Sequence, residues 1–322
     1  YRRLIMSDKK VISVIGATGA QGGGLVRAIL NDKSGGFSAR ALTRDVNSDK
    51  AKVLADLGAE VVAADLDNAE SLSKAFQGTY GVFAVTNFWE HYSPEKEKAQ
   101  AKSIAKAAKV AGVRHIIWST LEDTRNFIPL TDNRMPTLGD GKYKVPHFDG
   151  KGESNKYFTE QNLPVTFLNT SFYWDNFIYF GMGPKKGPDG KLALSLPSGE
   201  RKLAGIAAED IGKSAYGIFK NGSEFIGKSV AITGGNLTGK MMADSFGKAL
   251  GKEVVFNAIP FDVYRGLGFP GADDLGNMFQ FYHDFEDYFC GVRSVDFTKS
   301  INPELKSFDQ WLDENKSKIP LD

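Results

Sequence analysis

Apolar and polar positions along the first half of this chain follow two periods in turn. "KVISVIG" is a β-rich apolar run that ends in glycine. "AQGGGLVRAIL" follows, with Leu25, Ala28 and Ile29 on one face at helical spacing. The alternation recurs. "SARALTR" predicts a second strand and "DKAKVLADLG" a helix closed by Gly58. "AEVVAADL" predicts a third strand, "AESLSKAFQG" a helix ending at Gly78, and "YGVFAVTN" a fourth strand. Ser93 is placed to cap a long helix with Pro94 at its first position, running through "EKEKAQAKSIAKAAKVAG". "VRHIIWS" predicts a fifth strand.

Strands that are continuous apolar runs, alternating with helices, imply a parallel sheet buried on both faces. Right-handed crossovers make that sheet doubly wound. After Thr120 the rhythm stops. "LEDTRNFIPLTDNRMPTLGDGKYKVP" is polar, holds Pro129, Pro136 and Pro146, and reads as a long loop. A helix from about His147 to Asn162 and a sixth strand, "PVTFLNT", come next. "GPKKGPDGKLALSLPSGERK" reads as a hairpin insertion, "AEDIGKSAYGIFK" as a helix and "KSVAITG" as a late strand. From about Gly239 helices mix with one short strand, "EVVFNAI". The expected organisation is an α/β fold: a doubly wound domain over residues 7–170, completed by about 205–235, and a smaller α+β domain from 171–204 and 236–322.

Composition narrows the function classes. The 322 residues carry 40 basic and 39 acidic side chains, a net charge of +1. That balance makes no electrostatic case for nucleic acid or a membrane surface, and it leaves a protein partner open. A single cysteine, Cys290, excludes an internal disulfide or a CxxC site and points to a reducing compartment, the cytosol. Set in an aromatic helix, it reads as buried and inert. No apolar run reaches the roughly 18 residues of a membrane helix. The start, "YRRLIMSDKK", is too short in its apolar part for a secretory signal; Met6 reads as the initiator, and Tyr1 to Ile5 are set aside. Lys96, Lys98, Lys102, Lys106 and Lys109 read as a solvated helix face.

The strongest chemical signal is "VISVIGATGAQGGG". Gly16, Gly19 and Gly22 follow a strand directly and open a helix. Glycine is needed there for a tight turn, for backbone approach to a pyrophosphate and for close helix–strand packing. The loop Gly16, Thr18, Gly19, Ala20, Gln21 and Gly22 is therefore a dinucleotide-binding candidate. An NAD site usually has an acid at the end of the second strand. Here Thr43 stands there and Arg44 follows, a guanidinium suited to a 2′-phosphate. NADP is preferred over NAD; the alternative is a surface Arg44 paired with Asp45. Other strand ends offer Asp65 and Leu66 near the adenine, Thr86, Asn87 and Phe88 near the nicotinamide ribose, and Ser119.

"GATGAQGGG", "ALTRD", "AVTNFWE", "HFDGKGE" and "LGFPGADDLGNMF" together resemble the NmrA-like family, an atypical branch of the short-chain dehydrogenases. The resemblance runs from Lys10 to about Trp311 and is closest to the animal NmrA-like redox-sensor proteins. It implies a Rossmann fold that binds NADP(H), a smaller C-terminal domain, sensing of the NADPH/NADP balance through protein partners, and self-association as a homodimer. The founding fungal members of that family are negative regulators of transcription. By the same resemblance Gly16 to Gly22 hold the pyrophosphate, Arg44 meets the 2′-phosphate, Thr86, Asn87 and Phe88 line the ribose side, Lys151 bonds the nicotinamide ribose, and Tyr173 and Asn176 of "SFYWDN" flank the nicotinamide. Two departures stand out: Asn47 and Ser48 occupy the region of a second basic residue, and Ala99, beside Lys98, that of a lysine in the fourth helix.

Short-chain dehydrogenases transfer protons with a Tyr four residues before a Lys, and a Ser orients the carbonyl. Ser119 and Lys151 are in position, but His147 replaces the Tyr. Neither Tyr143 nor Tyr157 has a lysine four residues later. Beside a cationic lysine the imidazole tends to be neutral and is weakened as an acid; the bland reading of His147 is a helix-start residue. A Ser119-His147-Asp149 triad fails, since "WSTLE" is no nucleophile elbow. His91, His115, His147 and His283 do not cluster at metal-ligand spacing. Phe281, Phe285 and Tyr288 recur at helical spacing as core or pocket packing. Two functions remain in view: a cytoplasmic, also nuclear, NADP(H)-binding regulator with little turnover and no direct contact with nucleic acid or membrane, and an NADPH-dependent reductase of a small carbonyl or quinone using Ser119, His147 and Lys151.

Overall fold

The computed structural model describes residues 9–187 and 190–321. Met6 with its preceding residues, the first two residues of the expected 7–170 domain, and the 188–189 turn of the expected hairpin lie outside them. In chain order the elements are β1 (Lys10–Val14), α1 (Ala20–Asn31), β2 (Phe37–Thr43), α2 (Asp49–Asp56), β3 (Glu60–Ala63), α3 (Ala69–Ala75), β4 (Gly81–Ala84), α4 (Pro94–Ala111) and β5 (His115–Thr120). Then come α5 (Pro146–Thr159), β6 (Val165–Asn169), β7 (Phe172–Tyr173), α6 (Asn176–Tyr179), β8 (Lys185–Lys186), β9 (Leu192–Leu196), β10 (Lys202–Ile206), α7 (Ala208–Lys220) and β11 (Ser229–Ala231). The chain closes with β12 (Gly235–Thr238), α8 (Gly239–Leu250), β13 (Val254–Ala258), α9 (Phe261–Arg265), α10 (Ala272–Asp284), α11 (Glu286–Gly291), α12 (Val295–Ile301) and α13 (Phe308–Asn315).

Local chemistry sets the helix ends. Ser93 accepts from the Lys96 N–H with Pro94 in the first turn of α4, and Gly112 ends that helix at φ 65°. Ser48 caps α2 through the Ala51 N–H, and Asn68 caps α3 through Glu70 and Ser71. These polar caps meet backbone donors that a helix start leaves without partners.

The chain divides into two compact units, one of residues up to 121, 150–169 and 211–230, the other of 122–149, 170–210 and 231–322. The long loop after Thr120 thus groups with the second unit, whereas the sequence kept it in the first.

In the first unit seven strands form one sheet in the order β11-β6-β5-β4-β1-β2-β3. From β6 to β3 every neighbouring pair is parallel. The order reverses between β1 and β4, the crevice where doubly wound sheets bind ligands. Val14 of β1 lies opposite Ala41 of β2 and Phe83 of β4. One apolar cluster joins Leu72 and Phe76, Ile104 and Ala108 of α4, Trp118 of β5 and Phe158 of α5. Trp118 is fully buried and gives its indole N–H to Asn155 Oδ1 at 3.0 Å, so its polar atom is satisfied inside the core. A side chain at Gly212 of α7 would come within 2.2 Å of the Leu25 nitrogen, so the glycine lets α7 lie on α1.

The lysine face of α4 is solvated only in part. Lys102, Lys106 and Lys109 are exposed. Lys96 instead pairs with Asp67 at 2.7 Å, and Lys98 lies between Glu95 at 3.0 Å and Glu153 at 3.5 Å.

The second unit holds two three-stranded sheets, β12-β10-β7 and β13-β9-β8. The expected 183–202 hairpin is real only as far as β8 and β9, which pair antiparallel. Beyond it β9 pairs in parallel with β13 and β10 antiparallel with β12. Long-range partners therefore decide the pairing. Trp174 packs on Phe308 and Trp311, and a Cβ at Gly205 would meet its indole nitrogen at 2.3 Å. Among the described residues, no helix is long and apolar enough to cross a membrane.

Candidate functional site

The glycine loop joins β1 to α1 in the first unit. Gly16 takes φ 67°, a conformation glycine adopts without strain. A Cβ at Gly22 would stand 2.4 Å from the Gly16 oxygen, so the first turn of α1 folds directly onto the loop backbone. Gly19 is the cap residue of α1 and offers no side-chain bond, and the first turn contains no acidic residue. Such a helix start favours an anion through its backbone donors and dipole. Those features would suit a pyrophosphate. Gln21 Oε1 accepts from Ser119 Oγ at 2.8 Å, which ties the loop to the end of β5.

Thr43 closes β2 and Arg44 follows, largely exposed. Arg44 forms an ion pair with Glu90, not with Asp45. Glu90 bonding, with the fields of Asp65 and Asp67, holds the guanidinium pKa above its usual value. Asp65 is exposed, and its Oδ1 accepts from the Asp67 N–H at 2.9 Å. Leu66 packs partly against the sheet core. Thr86 and Phe88 are buried after β4, with Asn87 exposed between them.

Lys151 lies in the same unit and is tightly held. Its ammonium donates to the Thr86 carbonyl at 3.0 Å, to Thr86 Oγ1 at 2.8 Å and to Glu97 Oε1. Three N–H groups meet three acceptors, which uses the donor capacity of an ammonium. Thr86 Oγ1 donates to Glu97 as well. Glu97 is fully buried on α4, and its Oε2 lies 3.8 Å from His91 Nε2. The Lys151 ammonium stands 5.5 Å from the Trp118 ring centre. Sequence reasoning missed Glu97 because "EKEKAQAK" reads as a solvated, charge-alternating face.

His147 opens α5 and belongs to the second unit, as do Tyr173, which ends β7, and Asn176, which begins α6. The imidazole is buried, and Nδ1 meets Asp274 Oδ1 at 2.6 Å. Asp274 Oδ2 also accepts the His147 backbone N–H at 3.1 Å. His147 is therefore more than a bland helix start: a carboxylate 127 positions away sets its orientation. Asp149 is engaged elsewhere, taking the Thr124 N–H at 2.8 Å and hydroxyl at 2.6 Å, and the Lys144 N–H at 2.8 Å. Burial pushes its pKa up to about 6 although these donors pull it down. Ser119, in the first unit, turns its hydroxyl to Gln21.

Helix α10 holds the long loop in place along one polar stripe. Asn277 donates to the Pro136 and Lys144 carbonyls at 2.9 and 2.6 Å, and Gln280 to the Arg134 carbonyl at 2.8 Å. The buried Lys144 donates to the Asp132 and Met135 carbonyls, both at 2.6 Å. Phe281 is buried and Tyr288 exposed, and the helix breaks at Phe285 between them. Cys290 is half-buried, and burial pushes its thiol up to about 11, which fits an unreactive group.

A doubly wound sheet with a glycine loop at its reversal defines a dinucleotide-binding protein of the Rossmann type. The NmrA-like family model matches residues 8–312. The chain belongs to the NmrA-like family. It is 29% identical to the NmrA-like family domain-containing oxidoreductase ptmS of Penicillium ochrochloron, over 96% of this chain and 94% of that protein. An NmrA-like family domain-containing protein of Dictyostelium discoideum is 27% identical, over 97% and 99%. Among solved structures the chain is similar to NmrA, a negative transcriptional regulator, in complex with NADP, with TM-score 0.77, 23% identity and 95% of both chains covered. It is also similar to the triphenylmethane reductase of Citrobacter sp. complexed with NADP(H), with TM-score 0.74, 20% identity and coverage of 95% and 99%.

Proposed function

We propose that this protein is an NADP(H)-binding regulator that reads the NADPH/NADP balance and acts through protein partners, with little turnover of its own. One observation carries the reading. The residue four positions before Lys151 has no phenolic hydroxyl; it is His147, tied to Asp274 through both its ring and its backbone. The glycine loop keeps what a pyrophosphate needs, and Arg44 supplies a guanidinium suited to a 2′-phosphate. A similar structure is described as a negative transcriptional regulator in complex with NADP. In this reading the protein works in the cytoplasm and the nucleus, and pairs as a homodimer.

A second reading is favoured by the name of the Penicillium relative, an oxidoreductase, and by the Citrobacter reductase complexed with NADP(H). It makes the chain an NADPH-dependent reductase of a small carbonyl or quinone. Two measurements decide. In titration the protein should bind NADP(H) more tightly than NAD(H), and Arg44→Ala should shrink the gap. Steady-state NADPH oxidation against a panel of quinones and aldehydes should stay near background. Robust turnover by the unsubstituted protein would establish the reductase instead.

A further inference from the structure

Arg44 and Glu90 come from the two strands that flank β1. In the sheet β1 lies between β4 and β2, with Val14 opposite Phe83 and Ala41. Arg44 lies just past the end of β2, and Glu90 a short stretch past the end of β4. Their ion pair therefore spans the carboxyl end of β1, where the glycine loop departs. A dinucleotide on such a sheet lies in this crevice.

The other carboxylates near Arg44 are engaged locally. Asp67 is paired with Lys96 at 2.7 Å and takes a bond from Gln100 at 3.2 Å. Asp65 accepts from the Asp67 N–H. Glu90 is the carboxylate that meets the guanidinium directly, and its side chain is 46% exposed, so it returns to water at little cost.

We infer that the Arg44–Glu90 pair is a clasp displaced by a 2′-phosphate, which makes Glu90 a residue that sets cofactor specificity; this rests on the reading that Arg44 receives that phosphate. A phosphate monoester above its second ionisation carries almost two charges and presents several oxygens to the guanidinium fork, so it replaces a single carboxylate. A ribose 2′-hydroxyl cannot, and NAD(H) leaves the pair closed. Glu90 ends the short helical turn Phe88–Glu90, and Tyr92 follows at φ 53°. Opening the clasp releases the far end of this segment, so the protein distinguishes the two cofactors by a change in its own surface.

The test is calorimetric titration of the full chain and of its Glu90→Gln and Arg44→Ala variants with NADP⁺ and NAD⁺. Glu90→Gln should tighten NADP⁺ binding about three- to ten-fold, the effect of freeing the guanidinium and removing a like charge from the phosphate. NAD⁺ binding should stay within about two-fold. In the unsubstituted protein, NADP⁺ but not NAD⁺ should raise hydrogen exchange in residues 88–92. If Glu90→Gln leaves NADP⁺ affinity unchanged or weakens it while Arg44→Ala still narrows the NADP⁺/NAD⁺ gap, the clasp is wrong and the phosphate assignment stands. If Arg44→Ala leaves the gap intact, the assignment fails and the clasp fails with it.

Discussion

Asp274 accepts two hydrogen bonds from one residue, His147: from ring Nδ1 at 2.6 Å and from the backbone N–H at 3.1 Å. The carboxylate fixes the ring and caps the start of α5 in one interaction. Replacing it with alanine strips two buried donors of their acceptor. Asp274→Ala should cost about 2–4 kcal/mol in denaturant unfolding. A double-mutant cycle with His147→Ala should give a coupling above about 1 kcal/mol; simple additivity would refute the pairing.

Lys151 and Glu97 form a buried pair, so removing one partner strands the other. Lys151→Ala should lower stability by about 3–5 kcal/mol, because Glu97 then keeps an uncompensated charge. Lys151→Met combined with Glu97→Gln should recover much of that loss. If the double variant is as unstable as Lys151→Ala, the pair is not what holds this region.

The glycines of the loop should differ in tolerance. A Cβ at Gly22 meets the Gly16 oxygen at 2.4 Å, whereas one at Gly19 meets it at 3.2 Å. Gly22→Ala should cost about 3 kcal/mol and abolish NADP⁺ binding, while Gly19→Ala should cost about 1 kcal/mol. Circular dichroism melts and cofactor titration would check the ranking. Equal effects at both positions would contradict the close packing.

His115 should drive part of the acid sensitivity. It is fully buried, bonded to Thr166 at 2.9 Å, and burial lowers its pKa to about 4 from an ordinary 6.5. The unfolded chain binds the proton first, so this contribution is complete above pH 6.5 and lost as pH falls towards 4. Between pH 7.5 and 5 the loss is about 2 kcal/mol. Asp149 works in the opposite sense: its folded pKa near 6 lies above the unfolded value, so its contribution grows as pH falls through 6. His115→Leu should therefore lose less stability than the unsubstituted protein over this range, by denaturant titration at the two pH values. A variant that tracks the parent would rule out the histidine as the source.

Much of the first unit was legible in the sequence because it depends on short-range chemistry. Period, caps and glycine placement located β1 to β5, the Ser93–Pro94 helix start and the loop at Gly16. The alternation also carried the sheet, since parallel strands joined by helices permit few topologies. The 183–202 stretch was harder. Its local pattern looked like one hairpin, yet β9 and β10 take partners thirty or more residues downstream. Nothing within the stretch encodes those partners.

The same division runs through the candidate site. The sequence by itself determined the residue types: the glycines of the loop, an arginine where an acid is usual, and His147 in place of a tyrosine before Lys151. Tertiary structure decided what those side chains touch. Arg44 meets Glu90 rather than its neighbour Asp45, Lys151 meets Glu97, and His147 meets Asp274 rather than the nearby Asp149. A charged or titratable side chain shows its chemistry in the sequence. Its partner is chosen by burial and distance, which exist once the chain has folded.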